Sequence, residues 1–216
     1  HAGRPVSFAT VKTRALLFDF DGVLVNTEPL HMQSWLRTLH SLSISFGEKD
    51  YNERYIGLND RDFLAKVLRE NNRPASPTVS KNLIGEKEEE TRRHLIEKIP
   101  VMPGADDFIK RASQKYAMAI VTGALKQEVF FILDQLRWRD YFLTVVTADD
   151  VTKGKPDPEG YLKAFEFLRT HKKWDQPLEK KDCFIYEDSA TGLEAARRSG
   201  IPFQQVFNGF TGVELP

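Results

Sequence analysis

The stretch LLFDFDGVLVNTEPLH, residues 16–31, sets the apolar run Leu16, Leu17 and Phe18 directly against Asp19. Only Phe20 separates that carboxylate from Asp21, and Gly22 follows at once. A strand that reads as buried thus ends on two acids. Like charges so close repel, and desolvating them is costly without a compensating partner. A metal ion, a proton or a tight turn each meets that need, and the rest of the chain has to decide among them.

Four further apolar runs match ALLFDF (15–20) in kind: YAMAIVTG (116–123), FLTVVTA (142–148), CFIYED (183–188) and PFQQVF (202–207). Most are nearly continuous rather than alternating, as strands buried on both faces of a parallel sheet require. Helical periods over 105–115, 126–138, 159–170 and 192–199 fall between the later runs. This alternation predicts right-handed crossovers and an α/β, doubly wound parallel sheet. Residues 29–99 break the pattern. They hold no convincing strand and read as helices over 29–41, 61–70 and 79–97, interrupted near NNRPASP (71–77). Such an insertion is too long for an ordinary crossover. The expected organisation is a core of residues 11–28 and 100–210, a helical cap of 29–99 and a tail of 1–10. GEKEEETRRH (85–94) reads as a solvated helix face carrying same-helix ion pairs.

Basic and acidic side chains balance at 31 each, so nothing in bulk directs the chain to nucleic acid or an anionic membrane. No apolar run is long enough to cross a bilayer. The lone cysteine, Cys183, excludes an intrachain disulfide and fits a reducing compartment, cytoplasm or organelle lumen. It sits inside an apolar run and is expected in the core. HAGRPVSFATVKTR (1–14) carries basic-type residues and no acid, which suits a tag scar, an organelle-targeting remnant or a plain tail. VFNGFTGVELP (206–216) stops soon after the fifth run, which leaves open a further helix. Oligomeric state is not readable.

In an open α/β sheet, ligands lie outside the carboxyl ends of the strands. Asp19 and Asp21 follow the first strand, Thr122 and Gly123 the second, Lys155 the third, and Glu187 and Asp188 the fourth. They would converge on one site. Asp19, Asp188 and Glu187 are hard oxygen donors suited to Mg²⁺, and the backbone carbonyl of Asp21 could complete the set. The Thr122 hydroxyl and the Gly123 amide can hold phosphoryl oxygens, and Lys155 offers a point cation. Phosphoryl transfer needs such positioning and charge neutralisation. Asp19 could attack phosphorus to give an aspartyl phosphate, while Asp21 trades protons with leaving group and water. Each residue has a plainer alternative. Asp19 and Asp21 could cap a strand end, Thr122 a helix; Lys155 could be an ordinary loop lysine and Glu187 a structural carboxylate. Ser189 most simply caps a helix starting near Ala190.

FDFDGVL (18–24), VTG (121–123), KGKPDP (153–158) and YEDSATGLEAARRSG (186–200) together resemble, in order and spacing, the four signature motifs of the haloacid dehalogenase-like (HAD) superfamily. The helical insertion resembles the cap of the subfamily holding phosphoglycolate phosphatases, β-phosphoglucomutases and sugar-phosphate phosphatases. The resemblance implies a Rossmann-like core with an all-helical cap after strand one, a Mg²⁺ cofactor and a small phosphorylated metabolite as substrate. It implies Asp19 as nucleophile and metal ligand, Asp21 as acid/base and ligand, Thr122, Gly123 and Lys155 as phosphate binders, and Asp188 as metal ligand. Glu187 would stand behind the ligands or join them. Family members that cleave carbon–halogen or carbon–phosphorus bonds lack an acid at Asp21, so its presence favours phosphate esters.

The cap places His31 of TEPLH (27–31) as a substrate or proton-shuttle residue, or else as an ordinary helix histidine. YIGLNDRDFL (55–64) resembles the subfamily's specificity loop, where mutases carry a basic residue. Here the aligned position is Asp60, with Arg61 beside it. After strand two, Leu125 pushes Lys126 one place on from the mutase lysine. Asn26 replaces the family's usual aspartate before the linker threonine. These departures favour a phosphatase of a sugar phosphate or phosphoglycolate-like compound. The alternatives are a β-phosphoglucomutase-type mutase and a non-catalytic phosphate- or metal-binding protein.

Overall fold

The computed structural model of the chain describes residues 12–55, 58, 60–74, 76–171 and 174–216. The tail 1–10, and the targeting remnant read there, lie outside the described residues, as do positions 56, 57 and 59 of the specificity-loop motif. The chain divides into two units, one running to Asn26 and resuming at Val101, the other Thr27–Pro100. Among the described residues no helix is long and apolar enough to cross a membrane.

The first unit is built on five parallel strands: β1 (Ala15–Phe18), β2 (Ala117–Val121), β3 (Thr144–Val146), β4 (Cys183–Glu187) and β5 (Phe203–Gln205). Their spatial order is β3-β2-β1-β4-β5. Each expected run yields a strand, trimmed where the chain turns away. β1, β2 and β4 lie wholly or mostly buried, as continuous apolar sequence demands, while β3, an outer strand, buries only Val146 fully. β5 differs: all three of its residues are exposed. PFQQVF supplies glutamines where this strand forms one of the sheet's two edges.

Side-chain alternation splits the core. Ala15, Leu17, Ala119, Val121, Cys183 and Ile185 face a layer that includes Tyr161, Ala164, Phe165, Leu168, Ala195 and Ala196. Those partners come from α7 (Glu159–Arg169) and α8 (Ala190–Ser199). On the opposite face Phe18 stacks on Tyr186 at 5.4 Å and meets Phe108 of α5 (Ala105–Ser113) edge-on. α6 (Lys126–Gln135) ends before the expected 138, since Arg137 takes a left-handed φ of 56°.

The second unit contains α1 (Glu28–His40), α2 (Glu48–Arg54), α3 (Asp60–Glu70) and α4 (Pro77–Glu97). Trp35, Leu39, Tyr51, Tyr55, Phe63, Val67 and Leu83 form its core, with Trp35 stacked on Phe63 at 4.7 Å. Ser76 caps α4 by accepting from the Val79 amide, and Pro77 occupies the first turn. Two findings depart from expectation. α2 was not foreseen, because EKDYNER is too short and too charged to show a period. The run 85–94 is not uniformly solvated: Lys87 and Glu90 are buried, Lys87 against Asp60 at 3.0 Å and Glu90 against Arg37.

Candidate active site

Strand register brings the acids together. Phe18 of β1 is paired with Ile120 of β2 on one side and Tyr186 of β4 on the other. Asp19 therefore stands level with Val121 and Glu187, and its amide donates to the Tyr186 carbonyl at 2.9 Å. The chain leaves β1 toward β2 and β3 on one side, then returns to place β4 and β5 on the other. The carboxyl ends of β1 and β4 thus flank the topological switch point, where ligands of open α/β sheets bind. Continuing the alternation, Asp19 and Glu187 share the face of Leu17 and Ile185, which is the face covered by α7.

KGKPDP supplies the cation from the start of that helix. The Asp157 amide donates to the Gly154 carbonyl, the Glu159 carboxylate accepts the Thr152 and Lys153 amides, and Arg198 bonds the Pro156 carbonyl. From this clamped loop, which contains a cis Lys155–Pro156 bond, Lys155 reaches inward. Its Nζ lies 2.6 Å from Asp19 Oδ1 and 2.5 Å from Glu187 Oε1. Asp19, Glu187 and Asp188 each offer an oxygen within 4.8 Å of the others.

Three carboxylates against one ammonium leave an excess of two negative charges when all are ionised. Burial pushes the Asp19 carboxyl up to about 8, with Glu187 adding to the rise and Lys155 opposing it. Asp188 is raised too, chiefly by burial and then by Glu187. Burial alone would lower Lys155, but Asp19 and Glu187 outweigh it and hold the ammonium above its ordinary range. Among the described residues Asp188 Oδ1 is buried without a hydrogen-bond partner. A divalent cation fits this donor set: hard oxygens, a matching charge deficit and one buried oxygen left over.

Two glycines make room for the acids. Gly22 has φ +80°, and a Cβ there would fall 2.0 Å from Asp188 Oδ2. A Cβ on Gly192 would fall 1.6 Å from Glu187 Oε1. Ser189 caps α8 by accepting from the Gly192 amide, as its position suggested, and its own amide and hydroxyl also bond Glu187.

Asp21 is half-buried beside Asp19, whose carboxyl it helps to raise. Thr122 is buried at the end of β2, and its hydroxyl accepts from the Ala124 amide at 3.0 Å, closing a turn rather than capping α6. Gly123 is exposed. The Lys126 ammonium lies 3.6 Å from Asp150, and its amide donates to Asp149 at 2.8 Å. His31 lies half-buried in α1, and Arg61 is exposed at the start of α3, both in the second unit. Tyr161 escaped notice in the sequence. The helical period expected over 159–170 is apolar at Leu162, Phe165 and Leu168, whereas the buried stripe takes Tyr161 and Ala164 with Phe165 and Leu168. The tyrosine hydroxyl donates to Glu187 Oε1 at 3.3 Å.

Residues 16–206 match the haloacid dehalogenase-like hydrolase family. The chain is 30% identical over 187 residues to a phosphorylated carbohydrates phosphatase of Thermotoga maritima, covering 87% of this chain and 82% of that one. It is 29% identical over 189 residues to a fructose-1-phosphate phosphatase of Escherichia coli, covering 86% and 92%. Its fold matches the crystal structure of CbbY from Rhodobacter sphaeroides in complex with phosphate, with a TM-score of 0.76, 24% identity and coverage of 94% and 90%. With its motif acids gathered at the switch point of a five-stranded parallel sheet, the chain belongs to the haloacid dehalogenase-like hydrolases.

Proposed function

We propose that this hydrolase is a Mg²⁺-dependent phosphatase of a small phosphorylated carbohydrate, working through an aspartyl phosphate on Asp19. The observation that carries the reading is Lys155 bridging Asp19 and Glu187 beside Asp188, whose buried Oδ1 has no partner among the described residues. Asp19 and Asp188, with the backbone carbonyl of Asp21, would hold the ion. The ion would neutralise the phosphoryl oxygens, so that an anionic nucleophile can approach an anionic substrate. Lys155, Thr122 and the Gly123 amide bind and orient the phosphoryl group. An Asp19 oxygen attacks phosphorus. Asp21 gives its proton to the departing alkoxide, then takes one from the water that cleaves the acyl phosphate. Carbohydrate esters are preferred because phosphatases of phosphorylated carbohydrates and of fructose 1-phosphate are among the relatives. A mutase is the second outcome of the same chemistry, but Lys126 spends its charge on Asp150 and Asp60 is committed to Lys87.

The test is hydrolysis of p-nitrophenyl phosphate and a sugar-phosphate panel, with Mg²⁺ or with EDTA. Asp19→Asn abolishes turnover, Asp21→Asn lowers kcat by roughly 10²–10⁴-fold, and EDTA stops the reaction. Turnover by Asp19→Asn, or indifference to EDTA, overturns the mechanism. Release of glucose 6-phosphate from β-glucose 1-phosphate in place of inorganic phosphate would select the mutase.

A further inference from the structure

We propose that Tyr161 is a positioning residue that holds Lys155 in register by pinning Glu187; the proposal rests on the function above. Glu187 is fully buried, and both of its oxygens are taken. Oε2 accepts the amides of Asp188 and Ser189 at 2.7 and 2.8 Å and the Ser189 hydroxyl at 3.2 Å. Oε1 accepts Lys155 Nζ at 2.5 Å and the Tyr161 hydroxyl at 3.3 Å. Five donors fill the roughly four lone-pair sites of a carboxylate. Glu187 is a fixed anion against which Lys155 is set.

Tyr161 holds that anion from the side no backbone amide reaches. The residue is 1% exposed, and Gly160 lets α7 come close to β2: a Cβ at Gly160 would lie 2.8 Å from Val121 Cγ1. The ring also lies under the lysine, with Nζ 5.1 Å from its centroid. One side chain therefore meets Lys155 twice, through its face and through the carboxylate. For packing alone phenylalanine would serve as well, without a hydroxyl to desolvate. The hydroxyl is explained by the oxygen it bonds. Without it, Glu187 Oε1 keeps Lys155 as its sole donor, and the ammonium loses its fixed distance to Asp19.

Tyr161→Phe removes the hydroxyl and keeps the ring. It is expected to fold cooperatively and to lower kcat on p-nitrophenyl phosphate by about three- to tenfold, the scale of one ordinary hydrogen bond, with KM within about twofold. In a Glu187→Gln background the same change costs nothing further, because the two residues act as one unit. A readout free of turnover is the ¹H–¹⁵N signal of the Lys155 ammonium, assigned by its loss in Lys155→Arg. It shifts and broadens in Tyr161→Phe. A signal unmoved by Tyr161→Phe overturns the proposal whatever the activity does. With the signal moved, equal losses of kcat in both backgrounds overturn the route through Glu187. A parent protein inert toward every phosphate ester defeats the phosphatase reading, and the ammonium signal still decides the role of Tyr161.

Discussion

At the scale of single residues, the site is dimensioned by side chains that are missing. Glu187 occupies the space where a Gly192 side chain would stand, and Asp188 the space where one at Gly22 would stand. Gly192 lies in the first turn of α8, where alanine ought to gain up to about 1 kcal/mol in helix propensity. That gain is outweighed, because a Cβ 1.6 Å from Glu187 Oε1 forces the carboxylate from its five donors. Overpacking of this kind costs typically about 1–3 kcal/mol before the lost charge-assisted bonds are counted. Gly192→Ala is therefore expected to lose about 2 kcal/mol or more in urea unfolding and to misplace Lys155. Gly85 is the control. It is an exposed residue inside α4 with nothing within 4 Å of its Cβ position, so Gly85→Ala should gain up to about 1 kcal/mol. The same substitution with the same sign at both positions would refute the steric account of Gly192.

At the scale of elements, α4 shows how a charged run can hide a buried pair. Lys87 has a side chain only 4% exposed and lies 3.0 Å from the Asp60 carboxylate, which also accepts from the Trp35 indole at 3.2 Å. Removing one partner of a buried pair costs about 3–5 kcal/mol when the other is left dry. Asp60 is 27% exposed, so Lys87→Met should cost less, about 2 kcal/mol, by urea unfolding. Adding Asp60→Asn should recover most of that loss; no recovery would show that Lys87 acts through packing of its stem. In the sequence, Lys87 could not be told from Lys81 or Arg92, since burial depends on which face of α4 meets α1 and α3. The same limit hid α2, whose seven residues are fixed by Tyr51 packing rather than by any period. What was legible was what one element shows by itself. Continuous apolar runs gave the strands, and the acids at their ends gave Asp19, Glu187 and Asp188. Tyr161 and Gly192 were not legible, because their roles come from the register of α7 and α8 on the sheet. PFQQVF was read as a strand and is one, but nothing in the sequence says which strands will stand at the sheet's edges.

At the scale of the whole molecule, the sheet order makes the charge cluster, and the cluster couples folding to proton and metal. β1 lies between β2 and β4, so acids far apart in sequence share one desolvated pocket. In the ion-free protein Asp19 titrates near 8 rather than its ordinary 3.8, because burial disfavours the carboxylate. A carboxyl raised in the folded state binds its proton more tightly there than in the unfolded chain. Its contribution is present in full below about 3.8 and is lost as pH rises through about 8. Carboxylates held down titrate outside that range: Glu159, held to about 2 by Lys163 and by the Thr152 and Lys153 amides, is ionised well below pH 5. Between pH 5 and 8 the Asp19 contribution, with that of Asp188 raised in the same direction, tilts stability downward, and in EDTA the melting temperature should fall across it. Magnesium reverses the trend. An ion needs Asp19 deprotonated, so it competes with the proton at pH 5 and meets little competition at pH 8. Thermal melts at pH 5, 6.5 and 8, with EDTA or excess Mg²⁺, should show a stabilisation by the ion that grows with pH. Asp19→Asn should make the EDTA series shallower and remove most of the response to the ion. A melting temperature in EDTA that rises from pH 5 to 8 would mean that Lys155 alone neutralises the site, leaving no deficit for a divalent cation to fill.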